Sequence, residues 1–283
     1  MKTGLVLEGG GVRGIYTAGI LDVFMENGIV FDNIIGVSAG AIHAVSYLSG
    51  QKGRSIRYYK KYAGDYRFMS FKSFILTGNI VGVDFCYHEL PEKLDIFDNE
   101  SFKRNNVPFY CVCTNIETGK PEYIRLRDAN AEIDYLRASA SLPYFSKIVE
   151  ISDKKYLDGG CSDSIPLSAS KSMGFSKNVV ILTQDIEYRK QPEMKLLSKL
   201  LYKKYPNFLH TLLTRHEMYN KQVEEVIEEE RNGKAFVFRP STKLEVGRME
   251  TNTEKIELVY NRGRKDALEK IESLKKWMNN QEA

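Results

Sequence analysis

The chain has 283 residues, 42% of them hydrophobic, with 41 basic against 37 acidic side chains. That length suits one sizeable domain or a domain with a smaller appendage, and the apolar content excludes extensive disorder. A net charge of +4 is too small to point to nucleic acid. Cys86, Cys111, Cys113 and Cys161 show no CxxC spacing and no paired histidines, so they read as reduced, buried thiols of a cytoplasmic protein and not as metal ligands. No stretch reaches the roughly 18 apolar residues of a spanning helix, and Met1-Lys2-Thr3 leads straight into a strand-like run, with no secretory segment.

Leu5-Val6-Leu7-Glu8 reads as a buried strand. Gly9-Gly10-Gly11-Val12-Arg13-Gly14 follows, then a helical pattern through Ile15, Ala18, Leu21 and Phe24 that Asn27-Gly28 ends. A second strand is expected around Ile34-Ile35, then Ser38, then a helix of small residues over 39–48 closed by Gly50. Strand, glycine loop, helix, strand, serine turn and helix form a βαβα pattern, which predicts an α/β fold with a parallel sheet between helices.

Residues 54–85 interleave aromatics (Tyr58, Tyr59, Tyr62, Phe68, Phe71, Phe85) with cations (Arg54, Arg57, Lys60, Lys61, Arg67, Lys72). Nucleic-acid binding is the weakest of three readings, because no recognised module accompanies the charge, and two others stay open. The aromatics pack on the body with the basic stems solvated, or the segment caps the site and touches anionic lipid headgroups. Further strands are expected over 107–114 and 122–126, and a helix over 131–139 breaks before Pro143. A hairpin around Ser152-Asp153 then delivers Asp158-Gly159-Gly160. A helix over 166–173 and a strand over 178–183 follow. Beyond residue 190 the pattern is mainly helical, over 194–204, 208–231 and 266–279, with a strand over 235–238. Ile271, Leu274 and Met278 fall on one face of the last helix, the pattern of docking onto a core.

Three features carry chemistry. Gly36-Val37-Ser38-Ala39-Gly40 is Gly-x-Ser-x-Gly between a strand and a helix, the pattern that projects a serine hydroxyl from a tight turn. Its bland counterpart is a small residue capping the next helix. Gly9, Gly11 and Gly14 satisfy GxGxxG, the dinucleotide fingerprint, but Asp32 precedes the second strand, where a ribose-binding acid should end it. Backbone N–H groups of the same loop, at a helix N-terminus, suit an oxyanion equally well. The third feature is the base. His43 lies one turn behind Ser38, and His210 and His216 fall in a charged amphipathic helix, so no histidine stands where a triad needs one. Asp158 is the candidate base and Asp163 its competitor. An aspartate near its ordinary pKa of about 3.9 is a poor base at neutral pH, so such a pair needs a dry pocket.

Leu7-Glu8-Gly9-Gly10-Gly11-Val12-Arg13-Gly14, then Gly36-Val37-Ser38-Ala39-Gly40, then Asp158-Gly159-Gly160 resembles the patatin-like phospholipases, in that order. Ala138-Ser139-Ala140-Ser141-Leu142-Pro143 is similar to a segment these proteins carry between serine and aspartate. The resemblance covers about residues 4–170, leaving 171–283 as a mainly helical C-terminal region packed on the same body. It implies a three-layer α/β/α fold with a mostly parallel central sheet. It also implies Ser38 as nucleophile, Asp158 as general base, and Gly9, Gly10, Gly11 and Ala39 as the oxyanion hole. Arg13, Gly14, Gly36, Gly40, Gly159 and Gly160 would support them, without metal or cofactor. The expected activity is hydrolysis of lipid carboxylic esters through a covalent acyl-enzyme, at or near an anionic membrane surface. The rivals are a dinucleotide-binding oxidoreductase and a non-catalytic, membrane-associated lipid-binding protein.

Overall fold

The computed structural model describes residues 2–280. Its strands are β1 (Thr3–Leu7), β2 (Asn33–Val37), β3 (Phe109–Asn115), β4 (Pro121–Leu126), β5 (Val149–Ile151), β6 (Lys154–Asp158), β7 (Lys177–Ile181) and β8 (Ala235–Phe238). Its helices are α1 (Ile15–Glu26), α2 (Ala39–Leu48), α3 (Arg54–Tyr62), α4 (Phe71–Thr77), α5 (Asn99–Arg104), α6 (Ile133–Ser139), α7 (Leu167–Ser172), α8 (Lys195–Tyr202), α9 (Pro206–Arg231) and α10 (Thr253–Asn279). A π-helical segment, Phe85–Leu94, holds Pro91.

Five strands run parallel in the order β3-β2-β1-β7-β8. The period-2 alternation of each strand splits its apolar side chains between the two faces. Leu5, Leu7, Ile34, Val179 and Ile181 join the core under α1, α2 and α10. Val6 and Val180 pack with Tyr219, Val223 and Val226 of α9, while Ile35 and Val37 meet Ala169 of α7. Both faces are covered, giving the expected α/β/α layers. β7 lies against β1 at the centre of the sheet and β8 against β7, so residues beyond 171 complete this sheet.

The register around β3 positions the site. β4 runs antiparallel along one edge of β3 as far as Thr114. β2 and β6 must therefore share the other edge, end to end. β2 ends with Val37 opposite Val112, and β6 ends with Asp158 opposite Cys113. Ser38 and Asp158, 120 positions apart in the numbering, thus leave the sheet at adjacent rungs.

The last helix begins at Thr253, earlier than the expected 266, with the Asn252 side chain accepting from the Lys255 N–H as its cap. Gly263 interrupts the sequence pattern because of packing. A Cβ there would come within 2.1 Å of the Tyr16 carbonyl oxygen, so only glycine lets α10 cross α1 this closely. The crossing is tied by two reciprocal bonds, Tyr16 hydroxyl to Asp266 (2.8 Å) and Tyr260 hydroxyl to Asp22 (2.5 Å).

Candidate active site

Ser38 sits in the turn from β2 to α2 with φ 53° and ψ −123°, a conformation that is costly for a residue with a Cβ. Its neighbours explain the glycines. A Cβ on Gly36 would lie 2.7 Å from the Ala41 Cα, and one on Gly40 would lie 2.7 Å from the Leu7 carbonyl oxygen. Ser139 locks the elbow by accepting the Ser38 N–H on its hydroxyl at 2.8 Å. Two residues on, the Ser141 carbonyl accepts the Asp158 N–H at 2.9 Å. One segment, residues 139–142, therefore holds both halves of the site in register.

Asp158 is 2% exposed, and its carboxylate accepts the Gly160 N–H at 2.7 Å. Burial pushes its pKa above the ordinary carboxylate value, opposed in part by the Arg215 guanidinium and by the facing Ser38 hydroxyl. Gly159 follows so tightly that a Cβ would meet the Val112 carbonyl oxygen at 2.1 Å. Asp163, the competitor, is engaged by the Tyr123 hydroxyl (2.6 Å) and the Gln222 amide (2.5 Å), and it does not line the space around Ser38.

Gly9 lies against Ser38, Gly10 against Thr183, and Gly11 against the Arg248 backbone. Gly14 packs on Ala39 at the first turn of α2. The N–H groups of Gly10, Gly11 and Ala39 have no acceptor among the described residues, and those of Gly10 and Gly11 lie in the loop beside Ser38. Glu8 anchors the start of the loop. Its buried carboxylate accepts from the Thr183 N–H (2.5 Å) and the Tyr219 hydroxyl (2.8 Å).

Two spaces meet at Ser38. One is an apolar cavity of about 150 Å³ between α2, α3, α6 and the π-helical segment, lined by Ile42, Val45, Tyr58, Phe68, Met69 and Leu136 among others. The other is a polar chamber of about 40 Å³ that holds Asp158 and the glycine loop. Arg13, Lys190, Arg215 and Arg248 supply four cations to it against the carboxylates of Glu8 and Asp158. Burial, with Arg215 and Arg248 nearby, pushes the Lys190 ammonium down to about 7. The Arg13 Nε is buried with no partner among the described residues.

Tyr58, Tyr59 and Phe68 of residues 54–85 thus wall the cavity, and four cations of that segment, Arg54, Arg57, Lys60 and Arg67, are paired with carboxylates. Arg54 and Arg57 both pair with Asp95, and Lys60 pairs with Glu257. His43 is buried with its Nδ1 2.9 Å from the Ser55 hydroxyl, and burial drives its pKa down to about 3. His88 and His216 lie beside Glu92 and Glu217, outside both spaces. Asp32 accepts the Thr3 N–H at 2.7 Å at the opposite end of β2 from Ser38, and the chamber beside the glycine loop is far too small for a dinucleotide.

Sequence reasoning missed the contribution of the C-terminal region. Arg215 donates its Nε to the Gly160 carbonyl at 2.6 Å, and its guanidinium faces Glu193. A signal was present. Arg215 occupies the buried stripe of α9 with Phe208, Leu212, Tyr219, Val223 and Val226, where a cation needs a reason. Arg215→Met is expected to move the acid limb of the pH–rate profile for a soluble ester up by about one unit, because the cation that lowers the Asp158 pKa is gone. A profile that keeps its limb would show that Arg215 only packs.

A layered α/β/α fold with a strained serine elbow at the C-terminal end of an inner parallel strand, β2, defines the class. Residues 5–170 match the family model described as patatin-like phospholipase, and the chain belongs to that family, as the three motifs indicated. Residues 205–279 match a second model, a domain of unknown function, DUF6363. An uncharacterized protein of Escherichia coli, YjjU, is 30% identical over 239 residues, covering 80% of this chain and 65% of its own length. Lysophospholipase nte1 of Aspergillus oryzae is 29% identical over 179 residues, 61% of this chain and 11% of that protein. Its namesake in Aspergillus fumigatus is 32% identical over 178 residues, 60% of this chain and again 11% of that protein. The chain therefore spans under two thirds of the first of these relatives and about a tenth of the others. Among solved structures, VipD from Legionella pneumophila aligns with a TM-score of 0.48 and 13% identity, covering 96% of this chain and 67% of that one.

Proposed function

We propose that the protein is a lipid acyl hydrolase in which Ser38 is the nucleophile and Asp158 the general base. The observation that carries the reading is the chamber shared by the Ser38 hydroxyl and the buried Asp158 carboxylate, continuous at Ser38 with an apolar cavity. The acyl chain of an ester lies in that cavity and its alcohol portion in the cationic chamber. As Ser38 Oγ bonds to the carbonyl carbon, its proton passes to Asp158, and the oxyanion faces the free N–H groups of Gly10, Gly11 and Ala39. Collapse breaks the bond to the alcohol oxygen, which takes the proton from Asp158. Water then repeats the sequence on the acyl-enzyme and releases the fatty acid. Burial suits Asp158 to this part, since a raised pKa brings the carboxylate nearer in basicity to the group it must deprotonate.

The excess of cations on the alcohol side favours an anionic headgroup, and the lysophospholipase relatives agree with a phospholipid as the ester. A panel of p-nitrophenyl esters and phospholipids tests the reading against Ser38→Ala. Hydrolysis by the wild type and none by the variant supports it. Equal rates, or intact esters in both, sink it and favour a protein that only binds lipid.

Chain-length dependence is the second check. Each methylene buried adds about 0.8 kcal/mol, roughly fourfold in kcat/KM, until the cavity is full. Ile42→Trp narrows the cavity. It is expected to reduce the preference for long esters by roughly tenfold or more while a butyryl ester is turned over as before. An unchanged chain-length profile would place the acyl chain elsewhere.

A further inference from the structure

α8 is amphipathic the wrong way round for a helix in water. Its buried face carries Ser198 and Tyr202, while the opposite ridge puts Leu196 (85% exposed) and Leu200 (69%) into solvent, with Leu201 beside them. α4 does the same with Phe71, Ile75 (81% exposed) and Leu76. Scattered apolar residues on a surface need no explanation, but two helices with leucine, isoleucine and phenylalanine ridges do.

Both helices grip one loop, residues 142–147, whose Leu142 lines the apolar cavity and the polar chamber alike. On one side Tyr144 donates its N–H to the Tyr202 hydroxyl (2.9 Å), and its own hydroxyl meets Ser198 (2.7 Å). On the other, the Phe145 ring packs on Phe74 at 6.1 Å and its carbonyl accepts the Ile80 N–H at 2.8 Å. The apolar ridges therefore flank the rim of the site. Charge completes the picture. Residues 66–83, 135–149 and 194–216 contain no Asp or Glu. Lys72, Lys147, Lys195, Lys199, Lys203 and Lys204 are exposed there, and none pairs with a carboxylate among the described residues.

We propose that α4 and α8 form one docking face for an anionic lipid bilayer, set around the rim of the Ser38 site. The leucine and isoleucine ridges enter the acyl boundary while the lysines meet lipid phosphates, the division of labour of an interfacial helix. The choice of a bilayer as occupant rests on the hydrolase reading. The cations at 54–61 have no part in it, since most of them are paired within the protein.

The test is co-sedimentation of the whole chain with vesicles of phosphatidylcholine, with and without phosphatidylglycerol. The wild type is expected to bind the mixed vesicles more strongly. Leu196→Glu/Leu200→Glu and, independently, Ile75→Glu/Leu76→Glu are each expected to cut that partitioning by roughly tenfold or more, because a charge replaces a buried apolar contact. Both leave p-nitrophenyl butyrate hydrolysis as it was, which reports that the fold is intact. Ser38→Ala keeps the face and must bind as the wild type does, so loss of docking and loss of chemistry are separate readouts. Wild type that ignores the vesicles, or variants that bind like it, overturn the proposal. So does a wild-type dimer that Leu196→Glu/Leu200→Glu splits without changing vesicle binding, since the face then joins two copies of the chain.

Discussion

Asp158→Asn is expected to lower kcat for ester hydrolysis by about 10⁴-fold and to leave the protein as stable as the wild type or more so. The amide oxygen can still accept the Gly160 N–H, so the turn survives, but a carboxamide is far too weak a base to take the Ser38 proton. The stability sign follows from linkage. A carboxyl whose folded pKa is raised by burial favours the fold in its neutral form; that contribution is present below the ordinary carboxylate range and lost as pH rises through the raised value. At neutral pH the wild type carries a buried charge that asparagine lacks. Thermal unfolding should therefore show a Tm for Asp158→Asn at or above that of the wild type at pH 7, with the gap closing on acidification. For the same reason the wild-type rate falls as pH drops through the raised pKa, above the usual range for aspartate. A variant that is inactive because its Tm has collapsed would show that Asp158 holds the hairpin end and nothing more.

Ser38→Ala is expected to cost about 10⁶-fold in kcat, the scale seen when a nucleophile is removed and only binding and oxyanion donors remain. The position allows a finer comparison. At φ 53° and ψ −123° any side chain is strained, and glycine is the residue that relaxes there. Ser38→Gly should lose activity to the same extent as alanine yet gain stability, by about 1 kcal/mol. Equal Tm values for the two variants would mean that the elbow stores no strain in solution.

The halves of this site differ in how well the sequence announces them. Gly9, Gly10, Gly11, Ser38 and Asp158 stand in short local patterns, because tight turns and close backbone approaches demand particular residues at fixed offsets. Their juxtaposition is also legible in outline, since a βαβ unit brings the ends of β1 and β2 together. That Asp158 lands beside Ser38 depends on β6 pairing with the far end of β3 on the edge that β2 vacates, a register no local pattern encodes. Lys190, Arg215 and Arg248 come from a loop, a helix and a second loop more than 150 positions beyond Ser38. Their meeting is set by the docking of α9 on the sheet, and only the cation in the apolar stripe of α9 hints at it. The aromatics of residues 54–85 posed the converse problem. Their composition suits a packed face or a lipid surface equally, and the packing of α2, α3 and the π-helical segment decides that Tyr58, Tyr59 and Phe68 wall a cavity while Phe71 stays exposed. Gly263, which breaks the pattern of α10, is explained only by the backbone of α1 lying against it.

Labelling with a fluorophosphonate, read by intact mass and peptide mapping, tests the central claim most directly. The account predicts one adduct per chain, on Ser38, absent in Ser38→Ala and formed far more slowly in Asp158→Asn. An adduct on another residue, or undiminished labelling and hydrolysis in Ser38→Ala, would contradict it.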